Sequence, residues 1–195
     1  MNDRILLIRS GGTIDSEPYA DASQPPAMVD TLHGAESLIM QTVDGLPGHA
    51  LVDHFTWGSR GEDRFVKDSQ KFDEEDISLL ADIIRNDPRR HFILTHGTDA
   101  MAKNARLLQQ ALAGSGKTVI FTGAMVPLSM SKTDQPSDGV AALAYTLEHI
   151  REQPAGVYVA GRDATTRRMS LFDPQRAEKN RDLSLKDLAF TLNTR

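Results

Sequence analysis

Short apolar runs alternate with amphipathic segments along this chain. Five apolar runs predict strands, at residues 4–9, 50–56, 92–95, 118–122 and 156–160. Between the runs, apolar residues recur at spacings of three and four, as at Ile77, Leu80, Ala81 and Ile84, which predicts helices. Alternating strands and helices favour a mainly parallel sheet with helices on both faces, a three-layer α/β fold.

Four helices follow from this spacing. They cover residues 32–43, 77–84, 101–112 and 140–150. Asp73 and Asp76 precede the second helix at the spacing of an N-terminal cap. The helical segments are therefore expected to start and stop close to the predicted strands, as the connections of an α/β fold do.

Three polar segments interrupt the pattern. Residues 16–27 form a loop after the first strand that is long enough for a lid, and residues 129–139 form a second polar loop. Residues 162–169 are interpreted as a surface insertion, and their three arginines as a solvated loop rather than an anion site.

Composition narrows the class of protein. The chain has 195 residues, which fits one domain over residues 1–195 with a sizeable core. A net charge of −5 without a long basic cluster argues against nucleic-acid binding, and no apolar run approaches the length of a membrane span. Cysteine is absent, which is consistent with a reducing compartment. We therefore predict a soluble cytoplasmic protein whose partner is a small molecule or another protein.

Polar groups follow three of the predicted strands at the point where each strand ends. Residues 11–13 read GGT, residues 95–99 read THGTD and residues 123–125 read GAM. The carboxyl ends of parallel strands form the ligand-binding edge of an open sheet, so Thr13, Thr98 and Asp99 are expected to lie at one edge. Glycines there let a ligand approach the backbone, whose N–H groups can stabilise an oxyanion.

The glycine pair before Thr13 has three interpretations. Neither phosphate-binding spacing, G-x-x-x-x-G-K-S/T or G-x-G-x-x-G, is complete. A plain turn explains the glycines but not the recurring hydroxyls, so we favour a threonine nucleophile activated by Thr98, Asp99 and a lysine. His96 is an alternative base, although its place before Gly97 favours a packing role. The histidines lack an i, i+4 pair with a nearby carboxylate, so no metal site is predicted.

Four segments of the chain carry a resemblance to a known family. They are ILLIRSGGTIDS, KDSQKFDEEDISLLADII, HFILTHGTDAMAKNARLL and VIFTGAMVPLSMSKTDQPSDG. In order and spacing they resemble the signature segments of bacterial-type L-asparaginases and glutaminases, and together they span most of residues 4–145. The resemblance implies a flavodoxin-like sheet flanked by helices.

The resemblance assigns catalytic roles by position. Thr13 matches the family's nucleophile, and Tyr19 matches a tyrosine that supports the nucleophile and closes over the substrate. Thr98 and Asp99 match the second threonine of the catalytic set and an aspartate that contacts the substrate's α-ammonium group. The segment FDPQRAEKN resembles the one that supplies the lysine, which places it at Lys179.

The resemblance also implies substrate-binding positions. Ser69 and Gln70 match residues that hold the α-carboxylate and α-amino ends, together with Asp99. Ala124 matches a position whose backbone carbonyl faces the side-chain amide. Another Gly-Ser pair lies at residues 58–59, but Ser69 is preferred because the segment after it leads into a capped helix.

The implied function is an amidohydrolase that converts L-asparagine to L-aspartate and ammonia without a cofactor. Two alternatives remain: an amidase for another small primary amide such as glutamine, and a catalytically weak asparagine-binding module. The sequence departs from the family pattern at Ser10, Ala100 and Asp138-Gly139. The family's second domain is expected to be absent here, so a homodimer or larger assembly is predicted to complete the site.

Overall fold

The computed structural model describes residues 2–16, 38–56, 68–130, 137–180 and 189–192. Tyr19, the Gly-Ser pair at residues 58–59 and the predicted first helical turns at residues 32–37 lie outside the described residues. Everything stated below about elements and contacts refers to the described part of the chain.

The described strands form one eight-stranded sheet. They are β1 (Asn2–Arg9), β2 (Val52–Thr56), β3 (Arg89–Thr95), β4 (Thr118–Thr122), β5 (Gly156–Asp163), β6 (Met169–Phe172), β7 (Ala177–Lys179) and β8 (Ala189–Leu192). The order is β2-β1-β3-β4-β5-β8-β7, with β6 paired to β5. The first five strands are parallel in the order 2-1-3-4-5, which is the flavodoxin-like order predicted above.

Four α-helices cover the two faces of this sheet. They are α1 (Leu38–Asp44), α2 (Glu74–Asn86), α3 (Met101–Ala111) and α4 (Asp138–His149). Alternate β1 residues face opposite sides, so Leu6 and Ile8 pack in the core beneath α2 and α3, whereas Ile5 and Leu7 pack beneath α1 and α4. Two apolar layers therefore enclose the sheet, which confirms the three-layer prediction.

The cap predicted for the second helix is present. Asp73 accepts a hydrogen bond from the Asp76 amide at 2.9 Å, and the Asp76 carboxylate accepts one from the Asp73 amide at 2.9 Å. This reciprocal pair satisfies two of the amides that a helix leaves unbonded at its start. Helix α2 then buries Ile77, Leu80 and Ile84, which are apolar residues of the predicted face.

The interpretation of residues 162–169 as a solvated loop holds only for the exposed turn, because both ends of the segment are strand residues. Arg162 belongs to β5 and pairs with Met169 of β6, so the segment is an antiparallel hairpin joined by a tight turn. The turn bends because the Asp163 carboxylate accepts the amides of Thr165 and Thr166, and Arg167 adopts φ 62°. Only Arg167 and Arg168 of the three arginines are exposed, and Arg162 is half-buried in the sheet.

Two further strands, β7 and β8, escaped the sequence analysis. Lys179 was expected after the last strand, but it lies inside β7, where it pairs with Phe190 of β8. Strand β8 runs parallel to β5 and antiparallel to β7, so it ties the returning chain to the sheet. This return is what carries Lys179 back to the edge where β1, β3 and β4 end. Within the described ranges, none of the helices has the length and apolar character that crossing a membrane demands.

Candidate active site

The glycine-rich segments after β1 and β3 touch each other at the carboxyl edge of the sheet. Gly12 has φ 95°, and a Cβ built on it would lie 2.5 Å from the backbone nitrogen of Gly97. A Cβ on Gly97 would in turn lie 2.8 Å from the Ser69 hydroxyl oxygen. Only glycine permits this approach, so Gly12 and Gly97 bring the segments that carry Thr13, Thr98 and Ser69 together.

Thr13 begins a single 3-10 turn, Thr13–Asp15. The turn closes through the amide of Asp15, which donates to the Gly12 carbonyl at 3.2 Å, and the amide of Ser16, which donates to the Thr13 carbonyl at 3.2 Å. Ile14 is fully buried on the α4 side of the sheet, whereas Thr13 is half-buried. The turn thus anchors its apolar residue in the core and leaves the threonine beside it partly accessible.

Asp15 forms a buried ion pair with Arg9, the last residue of β1. The Nε atom of Arg9 donates to the Asp15 carboxylate at 2.8 Å, Nη2 contacts the same oxygen, and both side chains are 1% exposed. Sequence analysis missed this pair. An arginine that ends an apolar strand, six residues before an aspartate, is the signal that could have revealed it.

Lys179 joins Thr98 and Asp99 in one polar cluster. Its ammonium group donates to the Thr98 hydroxyl at 2.8 Å and to the Asp99 carboxylate at 2.6 Å. The Lys179 side chain is 16% exposed, whereas that of Asp99 is 59% exposed. The lysine is therefore held in the wall of the site, and the carboxylate opens towards solvent.

Gln70 contacts the same carboxylate from the opposite side. Its amide nitrogen lies 3.2 Å from the second Asp99 oxygen, and Gln70 is itself exposed. The Asp68 side chain caps the short turn that begins at Ser69, because its carboxylate accepts a hydrogen bond from the backbone amide of Gln70 at 3.0 Å. Exposed amide and carboxylate groups side by side can bind a zwitterionic amino acid, since one donates and the other accepts.

Ser69 and Ala124, unlike Gln70, are buried in the floor of the site. Ser69 is 1% exposed, and its hydroxyl oxygen accepts the amide of Ala100 at 3.2 Å. Ala124 is fully buried directly after β4. The backbone that leaves Ala124 is fixed by Asp138, whose carboxylate accepts the amides of Met125 and Val126 at 3.0–3.1 Å.

His96 lies in a buried hydrogen-bonded row behind the site. Its Nδ1 atom is 2.8 Å from the Ser10 hydroxyl, which also donates to the Thr95 carbonyl at 2.6 Å. Its Nε2 atom is 2.8 Å from the amide nitrogen of Asn104, which donates at 2.9 Å to the Ser69 carbonyl as well. The row runs from the end of β1 to Ser69.

This row fits only a neutral imidazole. The Asn104 amide nitrogen is a donor, so Nε2 of His96 must accept, and Nδ1 carries the hydrogen that Ser10 receives. Burial between the edges of Phe72 and Phe121 lowers the pKa of His96 to about 3. His96 is therefore a packing and hydrogen-bonding residue, as its position before Gly97 favoured, and it does not face the open site.

The structure thus brings together most of the residues that sequence analysis singled out. Lys179, Thr98, Asp99 and Gln70 are linked by hydrogen bonds, and Thr13, Ser69 and Ala124 lie on segments that meet at the same edge. Tyr19 lies outside the described residues. Within the described part of the chain, no three histidines or carboxylates lie together in a group that could hold a metal ion.

The sequence of this chain is similar to those of known asparaginases. The model of the family "Asparaginase, N-terminal" matches residues 4–189. L-asparaginase 1 of Escherichia coli is 38% identical over 71 residues, a stretch that covers 35% of this chain and 21% of that protein.

Solved structures share the fold. L-asparaginase I from Vibrio cholerae aligns with a TM-score of 0.66 at 24% identity, covering 96% of this chain and 51% of that one. The thermostable L-asparaginase from Thermococcus kodakarensis aligns with a TM-score of 0.67 at 23% identity, covering 97% of this chain and 51% of that one. The present chain therefore spans about half the length of these structures, and the likeness concerns the fold.

Proposed function

Since this chain belongs to the asparaginase family through its N-terminal domain, we propose that it is an amidohydrolase that converts L-asparagine to L-aspartate and ammonia. The observation that carries the proposal is the contact of Lys179 with both Thr98 and Asp99, at 2.8 and 2.6 Å. The return of β7 thus brings a lysine to a threonine hydroxyl and a carboxylate at once, which is the arrangement that proton transfer at a hydroxyl group needs.

In the proposed reaction, Thr13 is the nucleophile. Its hydroxyl oxygen attacks the carbon of the side-chain amide, and its proton passes to Thr98. Thr98 passes its own proton to Lys179 as the Lys179 ammonium group gives one to the departing nitrogen, which leaves as ammonia. Water then attacks the acyl ester and releases aspartate, returning the proton to Thr13. Nucleophile and base are side chains of the protein, so the proposed reaction needs no metal or cofactor.

The remaining groups bind the amino acid. Asp99 and Gln70 are exposed side by side and suit the α-ammonium and α-carboxylate ends, with Ser69 behind them. The carbonyl of Ala124 faces the amide in this assignment, and Tyr19 closes over the site. Glutamine or another small primary amide is the alternative substrate, since these groups recognise the α-carbon end that asparagine and glutamine share.

Substitution of Thr13 by alanine tests the proposal. We expect ammonia release from L-asparagine to fall by at least about a thousandfold, because the attacking group is lost. Calorimetric binding of asparagine should persist, since Asp99 and Gln70 are unchanged, and Thr13→Ser should retain part of the turnover. A folded Thr13→Ala protein with wild-type turnover would refute the nucleophile assignment.

The same assay separates the alternatives. Wild-type protein that binds asparagine without releasing ammonia contradicts the amidohydrolase and supports a binding module. A panel that includes glutamine identifies the substrate, because the preferred amide has the highest kcat/KM. These measurements need only the wild-type protein and therefore precede the variants.

The proposal includes a homodimer or larger assembly in the cytoplasm. An open site edge needs a wall, and a symmetric partner supplies one without any other protein. The chain has no cysteine, which is consistent with a reducing compartment. Sedimentation that finds only monomer in an active preparation contradicts the assembly, and cell fractionation tests the location.

A further inference from the structure

The buried pair of Arg9 and Asp15 spans from the end of β1 to the turn that carries Thr13. Arg9 follows Ile5 and Leu7 on the face of β1 that packs beneath α1 and α4. Both charged side chains are 1% exposed, so neither is available to a ligand from solvent. A charged pair buried this close to Thr13 calls for a physical reason.

The turn itself has little to hold it. One 3-10 turn contributes only the hydrogen bonds of Asp15 and Ser16 to Gly12 and Thr13, supplemented by the Ser16 hydroxyl, which donates to the Gly12 carbonyl at 3.1 Å. Such turns have poorer hydrogen-bond geometry than an α-helix and are short for that reason. The position of Thr13 must therefore come from what the neighbouring residues touch.

Contacts on Gly12, Ile14 and Asp15 hold the turn, and the Ser129 hydroxyl adds a fourth by donating to the Ser16 carbonyl at 3.0 Å. Gly12 lies against the Gly97 backbone, and Ile14 packs against α4, where a Cβ on Gly139 would lie 3.0 Å from it. Asp15 is held by Arg9 through two nitrogens on one carboxylate oxygen. The ion pair is the contact that bonds the last residue of the turn to the end of β1.

Stability alone gives a weak reason to keep this pair. Burying two charges costs desolvation that their attraction repays only in part, and apolar replacements of similar volume are often as stable. On these grounds we propose that Arg9 and Asp15 are positioning residues, which orient the Thr13 hydroxyl by fixing the end of its turn to β1. The proposal rests on the proposed function in taking Thr13 as the nucleophile.

The double variant Arg9→Met/Asp15→Leu separates positioning from stability. We expect its melting temperature to return close to that of wild type, because an apolar pair replaces the ionic one. Its kcat for ammonia release should stay about 10- to 100-fold low, since a displacement of about 1 Å at a reacting group has an effect of this size. KM should change little, because the groups that bind the amino acid lie on other segments. A double variant with wild-type kcat overturns the proposal.

Two further variants test whether a fall in kcat comes from loss of positioning or from loss of stability. Asp15→Asn keeps the shape of the side chain, and we expect lower kcat at temperatures where the protein is folded; wild-type kcat in it also overturns the proposal. Arg89→Met breaks two less buried arginine–aspartate contacts, to Asp87 and Asp53, at the opposite end of the sheet. It should lower the melting temperature and leave kcat unchanged, so a matching fall in kcat would show that general destabilisation suffices.

A readout without turnover distinguishes failure of this proposal from failure of the proposed function. The chain has no cysteine, so Thr13→Cys carries a single thiol at the nucleophile position. We expect alkylation by iodoacetamide to become at least about fivefold faster when Arg9→Met/Asp15→Leu is added, because the turn is released. An unchanged rate overturns the positioning role, whether or not wild-type protein hydrolyses amides.

Discussion

Two ion pairs stand at the same edge of the sheet and differ in almost everything except their chemistry. Arg9 and Asp15 are both 1% exposed, whereas Asp99 is 59% exposed beside a Lys179 that is 16% exposed. The buried pair joins two parts of one short segment. The open pair joins residues 80 positions apart and leaves carboxylate surface free for solvent.

The contrast indicates what each pair is suited to do. An ion pair shielded from water is geometrically fixed and strongly affected by loss of one partner. An exposed pair contributes little to stability, because solvent screens it and its side chains lose entropy. We infer that the buried pair fixes the position of Thr13, and that the open pair is available for binding and proton transfer.

The largest expected effect within this comparison comes from removing the lysine of the open pair. Lys179→Met deletes the donor to Thr98 and Asp99, so we expect kcat to fall by about 10²- to 10⁴-fold, the range typical of positioned acid–base groups. Initial rates of ammonia release measure this effect. Lys103→Met, on an exposed position of α3, is the matched control. A Lys179→Met protein within about fivefold of wild type would contradict the role.

A second prediction concerns the close contact beside Thr13. Gly12→Ala should lower the free energy of unfolding by about 2–4 kcal/mol, since its positive φ is strained for alanine and the new Cβ meets the Gly97 backbone. Gly48→Ala is the control: φ is 85°, but no atom lies within 4 Å, so about 1 kcal/mol is expected. Urea denaturation measures both. Equal losses would show that the Gly97 contact is relaxed easily.

The open cluster could be predicted from sequence because its residues lie in local motifs. Thr98 and Asp99 follow an apolar strand in the THGTD segment, and the resemblance supplied Lys179. The assignment of Lys179 to a place after the last strand failed, because β7 has three residues and shows no periodicity of its own. A strand that short forms only through pairing with β8, which is a long-range event that local pattern does not record.

The buried contacts were harder to predict for a related reason. Charged residues are expected at the surface, so nothing in Arg9 or Asp15 alone indicated burial. Of the three arginines in residues 162–169, Arg167 and Arg168 are exposed as expected, whereas Arg162 is half-buried in the hairpin that β5 and β6 form. His96 was correctly expected to have a packing role. Its hydrogen bonds to Ser10 and Asn104 could not be predicted, because they form only when separate segments of the chain meet in the fold.

The third prediction uses pH to distinguish buried from open groups. His96 has a pKa of about 3 in the folded protein, lowered by burial from the usual 6.5. Below about pH 6.5 the unfolded chain takes up a proton that the folded protein refuses until about pH 3, so stability falls as pH falls through this window. The expected slope is about 1.4 kcal/mol per pH unit for this one proton.

Removal of the imidazole isolates that slope. His96→Gln should be less stable than wild type at neutral pH, yet its free energy of unfolding should fall less steeply between pH 6 and about pH 4. The carboxylates titrate in both proteins and cancel in the difference. Urea denaturation at several pH values measures this difference in slope, with His49→Gln as a control at an exposed position. Parallel profiles would contradict a buried neutral His96.

The smallest expected effect is the loss of stability in Asp99→Asn, and it gives the most direct comparison of the two ion pairs. Asp99→Asn and Asp15→Asn are the same substitution in an open and a buried pair. Loss of an exposed pair changes the free energy of unfolding by about 1 kcal/mol or less, whereas Asp15→Asn leaves Arg9 facing a neutral amide and should have a larger effect. Asparagine affinity should behave in the opposite way, because the proposed function assigns substrate binding to the exposed Asp99, whereas Asp15 is buried. Urea denaturation measures the stability of the two variants, and calorimetry measures their affinity for asparagine. If Asp99→Asn is as destabilised as Asp15→Asn and its asparagine affinity is unchanged, the open pair has a structural role and not a binding role.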